Sequence, residues 1–484
     1  MSSTLEELRQ RHGERHKWLV LLTVMIGSMA SIMSSTIVNV AVPDLSRHFL
    51  LGQQRAQWVS AAFMLAMTLS MLTTPWLLLR FGLRRTYSGA ILMLLAGGVA
   101  GGFSINYPML LAMRVVEGLA SGILQPIPAI VILRAFASHE QGKAMGIFGF
   151  GVVLAPAVGP GIGGFLVEYF GWRSIFFVVV PFCLVVLALI RRFLAQNSPS
   201  IGQTSPLDWK GLLLAGLASI CILNGLVHLH DDPVQAGALL TVGLASLVGF
   251  VAYQLHAEEP LMNMTLFSYP QFAMGALVAF IYGMGLFAST YLLPVYMQMG
   301  LHYLPSQAGL VLLPAGIVLA VTIWMAGKLV DRFPPHVLVS TGLALLALSC
   351  ALMALGTPGT GYLSLMAWAA IGRIGLGLVL PSLSLGSMRG VDAVLIAQGV
   401  SAINFLRQLG GASGVSLVGI VLEWRLGAAR AAPAASSSAA SSSATSSHGP
   451  LGSLAAFDET FLFIAAVSAM AVLAAWRMRA KPAS

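Results

Sequence analysis

Long runs of apolar residues, separated by short polar segments, follow one another along almost the whole chain. A helix needs about 20 mostly apolar residues to cross the hydrocarbon core of a bilayer, and most of these runs reach that length. The pattern therefore predicts fourteen membrane-spanning helices, called predicted helices 1 to 14 in chain order. They lie near residues 18–42, 57–78, 87–105, 108–134, 143–167, 174–194, 209–227, 234–255, 272–297, 307–330, 337–356, 361–386, 396–424 and 457–477. The expected fold class is an all-α polytopic membrane protein.

The composition agrees with a protein embedded in a membrane. Of the 484 residues, 57% are hydrophobic and only 9% are charged, whereas soluble domains carry about a quarter charged residues. The first apolar run continues from Trp18 to about Val42. That run is too long for the apolar part of a signal peptide, so it indicates a first helix that is retained in the protein.

Positive charges are distributed unevenly between the two sets of loops. One set, which includes both termini, holds 18 lysines and arginines, the other holds 5, and the remaining 3 of the 26 lie inside helices. Because Lys and Arg accumulate in cytoplasmic loops, this bias predicts a protein of the inner or plasma membrane with both termini in the cytoplasm. The net charge of +9 has the same origin, in loops close to the anionic lipid of the bilayer, so no nucleic-acid partner is expected.

Several classes of chemical site lack support in the sequence. The three cysteines, Cys183, Cys221 and Cys350, lie far apart in apolar runs and form neither a CxxC pair nor a metal-binding spacing. The chain has no GxxxxGKS/T phosphate loop, no HExxH and no GxSxG motif. We therefore expect no cofactor, no metal site and no enzymatic activity.

Three motifs of the first half of the chain recur, in the same order, in the second half. "RFGLRR" after predicted helix 2 corresponds to "DRFPP" after helix 10, "MRVVEGLASGILQPIP" in helix 4 to "GRIGLGLVLPSLS" in helix 12, and "QGKAMGIF" opening helix 5 to "QGVSAINF" opening helix 13. The offsets are 332 − 80 = 252, 373 − 114 = 259 and 398 − 141 = 257. Two related membrane halves around a central site are typical of transporters that work by alternating access.

The repeat predicts that helices 7 and 8 are inserted between two six-helix halves. The predicted segments are a cytoplasmic tail (1–17), the N-terminal half (18–194), a cytoplasmic linker (195–208), the inserted helices (209–255), a second cytoplasmic linker (256–271), the C-terminal half (272–477) and a cytoplasmic tail (478–484). Residues 431–450, on the outer side between helices 13 and 14, read "AAPAASSSAASSSATSSHGP". This composition cannot build a core, so a disordered linker is predicted there.

Arg114 and Glu117 stand one turn apart on predicted helix 4, inside a long apolar run. Each charge costs about 2.5–3.5 kcal/mol at the centre of a membrane helix on insertion scales, so some gain must offset it. One interpretation is a structural ion pair. The other is a proton carrier, because burial and the guanidinium act in opposite senses on the protonation of the carboxylate. Of the 17 acids, only Glu117 is predicted deep within a span, which favours the second interpretation.

Further polar residues are predicted within the spans, where polar side chains tend to face the bundle interior. Six of them are candidates for a substrate cavity: Asn39, Gln125, Gln298, Asn404, Arg407 and Gln408. Cavity lining and hydrogen bonding between helices explain each of these residues equally well. Arg373 has no adjacent acid, and a bond to the backbone or a role in the repeated motif is expected for it.

Several signatures identify the class of protein that the chain resembles. "SSTIVNVAVPDL" (34–45), "APAVGPGIGG" (155–164), "WRSIFFVVVP" (172–181), "LLPVYMQMGLHYLPSQAGLVLLP" (292–314) and "NFLRQLGGASGV" (404–415) lie in helices 1, 5, 6, 9–10 and 13. With these motifs the chain, from about residue 18 to residue 477, resembles the major facilitator superfamily and, within it, the 14-helix drug:proton antiporters.

The resemblance implies roles for two groups of residues. The antiporter motif of helix 5 corresponds to Ala155, Gly159, Pro160, Gly163 and Gly164, with Ala155 where the family usually has Gly. Gly151, Ala155, Gly159 and Gly163 recur every four residues, so they form a smooth face that permits close helix packing, and the resemblance places this helix between the halves. The cytoplasmic gating loops correspond to Gly82, Arg84 and Arg85 in the first half and to Gly327, Asp331 and Arg332 in the second.

The chain departs from the family pattern at three places. The first-helix signature usually carries an acid where this chain has Ser34 and Ser35. The Gly and Asp of the first gating loop are replaced by Pro75 and Leu79. The family usually has Gln at position 117, so the acid here, with none in helix 1, suggests a relocated proton site.

The resemblance implies a secondary active efflux transporter that exports lipophilic or amphipathic, drug-like small molecules in exchange for protons. Its expected partners are these molecules, protons and the lipid bilayer, and the sequence leaves open a periplasmic adaptor protein. One alternative is a facilitator, uniporter or non-proton-coupled carrier of the same fold, because the first-helix acid is missing. A remote alternative is a membrane enzyme or structural subunit that reuses the scaffold, although the sequence shows no nucleophile, metal or nucleotide motif.

Overall fold

A computed structural model describes residues 13–195, 206–229, 232–357, 359–436 and 449–479. The described residues form helices joined by short connections and contain no strand, which confirms the predicted all-α class. Most of the two predicted tails, residues 196–205 of the first linker and residues 437–448 of the outer loop lie outside the described residues.

Helices α1 to α14 follow predicted helices 1 to 14 in order. Their bounds are α1 Arg15–His48, α2 53–81, α3 83–102, α4 Tyr107–Leu124 with Ile127–Ala135, α5 Gln141–Phe170, α6 Ser174–Phe177 with Val179–Phe193, α7 Trp209–Val227, α8 Pro233–His256, α9 Pro270–Val295, α10 Pro305–Leu329, α11 Pro335–Met353, α12 Tyr362–Gly386, α13 Ile396–Ser436 and α14 Gly449–Arg477. We call the side where α1 begins and α14 ends the terminal face, and the other side the opposite face.

The boundary between α2 and α3 is a sharp reversal at Gly82. Within the described residues, 13 helical stretches are long and apolar enough to cross a membrane, and one of them runs over 48 residues, from Arg55 to Gly102. Gly82 interrupts this stretch with φ 74° and ψ 168°, a conformation that a residue without a Cβ adopts readily. The Thr86 hydroxyl donates to the Leu77 carbonyl at 2.9 Å, a contact that a straight helix forbids because nine residues would separate them by about 13 Å. The stretch therefore crosses twice, which gives fourteen crossings.

Helix α4 is broken after Leu124 by a short turn. Pro126 has no backbone N–H and cannot donate to the carbonyl four residues earlier, so the helix restarts at Ile127. The Asn106 side chain caps the beginning of α4 by accepting from the Met109 N–H at 2.9 Å. The cap and the break fix the segment that carries Arg114 and Glu117.

The disorder predicted for residues 431–450 is wrong at the ends of this segment. Helix α13 continues to Ser436 and α14 already begins at Gly449. Alanine has the highest helix propensity, and "GAARAAPAAS" extends the helix beyond the membrane-spanning part, which ends at Leu426.

The packed cores are centred on the two predicted halves but extend across them. One core is built mainly from α1, α3, α4 and α6 and also includes Leu338 and Leu385, and a larger core is built mainly from α9 to α14. Helix α5 packs against both α1 and α10, so it joins the halves, and α7 and α8 form a hairpin beside α13. The crossing of α5 and α10 brings the two halves together at the terminal face.

Candidate functional site

Arg114 and Glu117 form an ion pair inside the N-terminal half. The Arg114 Nη1 atom donates to Glu117 Oε2 at 2.5 Å, and the two side chains are 0% and 1% exposed. Their spacing of three residues on α4 places them on one helix face, as the sequence predicts. Such an enclosed ion pair adds little to the free energy of unfolding when it is compared with well-packed apolar residues of similar size. Removal of either partner alone, however, leaves an uncompensated buried charge.

The guanidinium of Arg114 also holds three neighbouring elements. Its Nη1 atom contacts the carbonyl oxygen and the hydroxyl of Ser34 on α1, both at 3.3 Å. Its Nε atom donates to the Val59 carbonyl on α2 at 3.2 Å, and its plane lies 4.2 Å from the ring centre of Phe63. The residue that stands where the family has its first-helix acid is therefore a direct neighbour of Arg114.

Glu117 packs against a glycine pair of α3. A Cβ atom at Gly97 would lie 2.7 Å from the Glu117 Cγ atom, and one at Gly98 would lie 3.3 Å from Oε1. Residues without a side chain are needed there, because the carboxylate occupies that space. Oε1 is buried and has no hydrogen-bond partner among the described residues, so the carboxylate has one acceptor oxygen free for a proton or for water.

Buried hydroxyl groups extend from this pair toward the terminal face. Ser31 and Ser28 follow Ser34 at one-turn intervals on α1, and Ser121 follows Glu117 by one turn on α4. The hydroxyls of Ser28, Ser31 and Ser121 are buried and have no hydrogen-bond partner in the described part of the chain. Buried hydroxyls of this kind are usual binding sites for water. The sequence analysis did not identify these serines.

On the other side of the pair, Asn39 of α1 accepts a hydrogen bond from the Ser60 hydroxyl of α2 at 2.7 Å. This bond is solvent-exposed, and Ser60 directly follows Val59, whose carbonyl binds Arg114. Of the six candidate cavity residues, Asn39 is thus the one that lies next to the ion pair.

The other candidate cavity residues are only partly brought together. On α13, Arg407 Nη2 donates to Asn404 Oδ1 at 2.9 Å, and Gln408 reaches across to the Met64 sulfur of α2 at 3.3 Å. These three residues therefore lie where the halves meet. Gln125 lies in the break of α4, and Gln298 lies exposed in the π-helical turn Tyr296–Gly300 that follows α9. Neither joins the group on α13.

Of the two roles predicted for Arg373, a bond to the backbone is not seen among the described contacts, and a role in the repeated motif stays a prediction. Arg373 donates from Nη1 to the side-chain hydroxyl of Thr290 on α9, at 3.2 Å, rather than to a backbone carbonyl. Helices α9 and α12 come together through packing between distant segments, and the local sequence around Arg373 carries no sign of this partner.

The antiporter motif of α5 faces α1 of its own half. A Cβ atom at Gly163 would lie 2.6 Å from Ile37 Cγ1, and one at Gly159 would lie 3.0 Å from the Thr36 hydroxyl. Ala155 is buried, a Cβ atom at Gly164 would meet nothing within 4 Å, and the side chain of Pro160 lies outside the described part. The contact of α5 with α10 uses Gly142, Gly146 and Gly149 instead. The smooth face of α5 thus allows close packing against α1, the helix that carries Ser34.

We expect Gly163→Leu to impair transport far more than Gly164→Leu. The first substitution forces a side chain into Ile37 and pushes α1 away, at a typical overpacking cost of about 1–3 kcal/mol in unfolding free energy. The second enters open space one residue further along the same helix. Transport rates per molecule in membrane vesicles, normalised to the amount of each variant, measure the difference. Equal rates for the two variants would show that the contact with α1 has no role in the transport cycle.

At the terminal face, Asp331 links the two halves. Its carboxylate accepts from the backbone N–H groups of Gly142 and Lys143, at 3.0 and 3.1 Å, and so caps the beginning of α5. Partial burial raises the pKa of Asp331, although these two N–H donors act in the opposite sense. A Cβ atom at Gly327 would overlap Gly146, so the glycine allows the two helices to touch. Arg332 lies exposed beside this contact.

In the part of the chain that the structure describes, the corresponding loop of the first half makes no such cap. Leu79 stands where Asp331 stands in the second half, and Arg80 lies against the rings of Trp76 and Phe81, at 5.3 and 5.8 Å. A cavity lined by Pro75, Leu79 and Gln398 separates α2 from the beginning of α13. Arg85 is exposed, and Nη1 of Arg84 is buried without a hydrogen-bond partner among the described residues. Among the described residues of this face, Asp331 therefore caps α5, whereas Leu79 has no carboxylate to make the equivalent contact.

An ion pair at this face lies within the first half. The Lys17 ammonium contacts Glu140 at 2.7 Å and joins the beginning of α1 to the segment before α5. This hydrogen bond lowers the pKa of Glu140 below its ordinary value. Both groups reach solvent, so the pair contributes little to stability.

Comparison with known proteins agrees with the fold and the motifs. The family model of the Major Facilitator Superfamily matches residues 24–415. The multidrug resistance protein B homolog of Mycobacterium tuberculosis is 29% identical over 416 residues, which cover 84% of this chain and 77% of that protein. The lincomycin resistance protein LmrB of Listeria monocytogenes is 28% identical over 405 residues, with 82% and 85% covered. The crystal structure of the human organic anion transporter MFSD10 has the same fold, with a TM-score of 0.65 and 14% identity over 95% of this chain and 99% of that one.

Proposed function

Because the chain belongs to the Major Facilitator Superfamily, we propose that it is a secondary transporter that exports lipophilic or amphipathic small molecules in exchange for protons. The relatives named for multidrug and lincomycin resistance support export. The two related halves, joined through α5 and α10, suit a mechanism in which the halves rock around a central site. A transporter of this kind needs neither a cofactor nor a catalytic group.

The observation that carries proton coupling is the enclosed pair of Arg114 and Glu117. Among the described residues, Glu117 is the carboxylate that lies fully buried in a span, and its Oε1 atom has no described hydrogen-bond partner. An ionisable group within a membrane costs free energy, and such groups typically mark ion or proton pathways. The exposed Asn39–Ser60 bond on one side and the buried serine hydroxyls on the other give this carboxylate polar neighbours in both directions.

In the proposed cycle, the position of α1 relative to α4 decides the protonation of Glu117. With Arg114 at 2.5 Å, the carboxylate is stabilised in its charged form. When α1 and α2 shift against α4 within the N-terminal half as the halves rock, Arg114 follows Ser34 and Val59 and separates from Glu117, and the carboxylate left without its partner takes up a proton. Substrate exchange on the cytoplasmic side then restores the pair and releases the proton there. The membrane potential contributes about 2.3 kcal/mol per charge and 100 mV.

A pH gradient across reconstituted vesicles tests this function. Three fluorescent probes share one ring system and differ in charge: pyrenebutyrate, pyrenebutyramide and pyrenebutylamine. Vesicles that contain the protein and are acidic on the side to which substrate is exported should accumulate at least one probe above the level in protein-free vesicles. Facilitated diffusion down a gradient, without pH-driven accumulation, would instead support a uniporter. That second candidate has one observation in its favour, since Ser34 and Ser35 replace the usual first-helix acid.

The proposed direction of transport requires both termini to be cytoplasmic. We expect a cysteine introduced by Ala440→Cys, between α13 and α14, to react with a membrane-impermeant maleimide added outside intact cells. The three native cysteines are buried and provide a low background. Reaction only after the cells are opened would show that the loop is cytoplasmic and that the orientation is the opposite of the proposed one.

A further inference from the structure

The contact between Arg114 and Ser34 recurs in the C-terminal half. Arg373 lies at the position of Arg114, with 373 − 114 = 259, and donates from the same nitrogen, Nη1, to the Thr290 hydroxyl. Thr290 lies at the position of Ser34, because 290 − 34 = 256 agrees with the other offsets of the repeat. Both halves therefore hold an arginine of the fourth helix against a hydroxyl of the first.

The carboxylate of the N-terminal pair has no counterpart in the C-terminal half. The position that corresponds to Glu117 is 117 + 259 = 376, and it is occupied by the buried Leu376. Within the part of the chain that the structure describes, no Asp or Glu forms an ion pair with Arg373. The C-terminal half thus has the cation of this pair but not the anion.

A second arginine adds to this positive charge. Arg407 of α13 makes its described hydrogen bond to the neutral side chain of Asn404. Tyr282 of α9 donates to the Leu376 carbonyl of α12 at 3.3 Å, and a Cβ atom at the next residue, Gly283, would overlap the Arg407 carbonyl of α13, so this turn of α9 contacts both helices that carry the arginines. Each guanidinium carries five N–H donors and uses one of them in a described hydrogen bond, so most donors remain free for a ligand.

Along the helix axes, the acids of the C-terminal half lie far from Arg373 and Arg407. Glu423 follows Arg407 by 16 residues, which is about 24 Å along the helix. Asp392 precedes α13 at the terminal face. Asp458 interacts with Tyr296, which lies beyond Thr290 by 6 residues, or about 9 Å toward the opposite face.

Unlike the fully buried Arg114, Arg373 and Arg407 are half-buried and offer surface to a ligand. Arg373 lines a cavity between α9, α11, α12 and α14. The other walls combine two hydroxyl residues, Ser289 and Ser349, with apolar groups such as Leu346, Met353 and Phe461. One cationic group in a mostly apolar wall suits a ligand that has a negative head and a lipophilic body.

We propose that Arg373 and Arg407 bind the negative group of the substrate, and that this transporter carries amphipathic organic anions such as carboxylates. The substrate carboxylate occupies the role in the C-terminal half that Glu117 has in the N-terminal half, as the acceptor for the arginine of the fourth helix. Planar guanidinium groups suit carboxylates because they bind both oxygens at once. This inference rests on the proposed transport function and specifies its substrate class.

The three pyrene probes test the inference with the full-length protein in vesicles. We expect pH-driven accumulation of pyrenebutyrate to exceed that of pyrenebutyramide and pyrenebutylamine by roughly tenfold or more, as hydrogen bonds to a charged group suggest. Accumulation in protein-free vesicles is subtracted, because an amine collects in an acidic lumen without a carrier. Arg373→Gln and Arg407→Gln should each reduce pyrenebutyrate transport by about tenfold, whereas Arg373→Lys should retain part of it.

Arg425→Gln is the matched control, because Arg425 is exposed and paired with Glu459. It removes the same charge from α13 and should leave all three rates unchanged. Transport of pyrenebutylamine or pyrenebutyramide with no preference for pyrenebutyrate would overturn the anion inference and leave the transport function intact, whereas no transport of any probe would contradict the function itself. Equal losses for all three probes in both glutamine variants would assign the arginines a structural role. If these variants do not reach the membrane, the order of transport rates of the three probes with the unmodified protein decides whether the transporter prefers anions.

Discussion

Glu117→Gln is expected to abolish accumulation of substrate against its gradient while exchange of substrate across the membrane continues. Glutamine keeps the shape of the side chain and its hydrogen bond from Arg114 but cannot carry a proton at neutral pH. Without that proton, the pH gradient no longer favours one orientation of the halves. Accumulation of the transported pyrene probe in vesicles measures the first activity, and exchange of labelled for unlabelled probe at equal concentrations measures the second.

Glu459→Gln is the control for this experiment, since Glu459 also pairs with an arginine but lies exposed at the beginning of α14. It should accumulate substrate at the rate of the unmodified protein. Glu117→Asp should retain part of the coupling with a shifted pH optimum, because the carboxylate stays on the same helix face. Normal accumulation by the Glu117→Gln variant would establish that Glu117 is a structural residue.

Arg114→Ala is expected to lower the free energy of unfolding by about 3–5 kcal/mol, because it leaves the carboxylate of Glu117 buried without its partner. The loss also removes the bonds from Arg114 to Ser34 of α1 and Val59 of α2. The matched change Arg425→Ala breaks an exposed pair and should cost about 0–1 kcal/mol. Denaturant titration of the purified variants in one detergent compares the two.

A double variant separates the pair from the other contacts of Arg114. Combining Arg114→Gln with Glu117→Gln removes both charges, so the double variant should be more stable than the sum of the two single losses predicts. Simple additivity, or an Arg114→Ala loss no larger than that of Arg425→Ala, would contradict mutual stabilisation of the two buried charges.

The helices could be predicted because the length of an apolar run is a local property of the sequence. Apolar runs of sufficient length reveal spans wherever they pack, and the reversal at Gly82 separates two of them even though the helical stretch reads as continuous. Arg114 and Glu117 could be identified for the same reason, since charges inside an apolar run are visible without any knowledge of their neighbours.

The partners of these residues could not be predicted, because they depend on packing between distant segments. Ser34 lies 80 residues from Arg114 and Val59 lies 55 residues away. The direction of the glycine face of α5, toward α1 and not toward α10, likewise depends on how the helix is rotated within the bundle. The helical ends of segment 431–450 were missed for a different reason, since its composition suits both a linker and, where alanine dominates, a helix.

Proton release on substrate binding tests the role of Glu117 most directly. By linkage, a substrate that competes with the proton must displace it. At a pH low enough for Glu117 to be protonated before substrate is added, a pH indicator in weakly buffered solution should therefore report about one proton per protein molecule when saturating pyrenebutyrate is added. We expect this signal from the unmodified protein and from Glu459→Gln, and no signal from Glu117→Gln at the same substrate occupancy. Equal proton release from the unmodified protein and from Glu117→Gln would contradict the proposal that Glu117 carries the coupling proton.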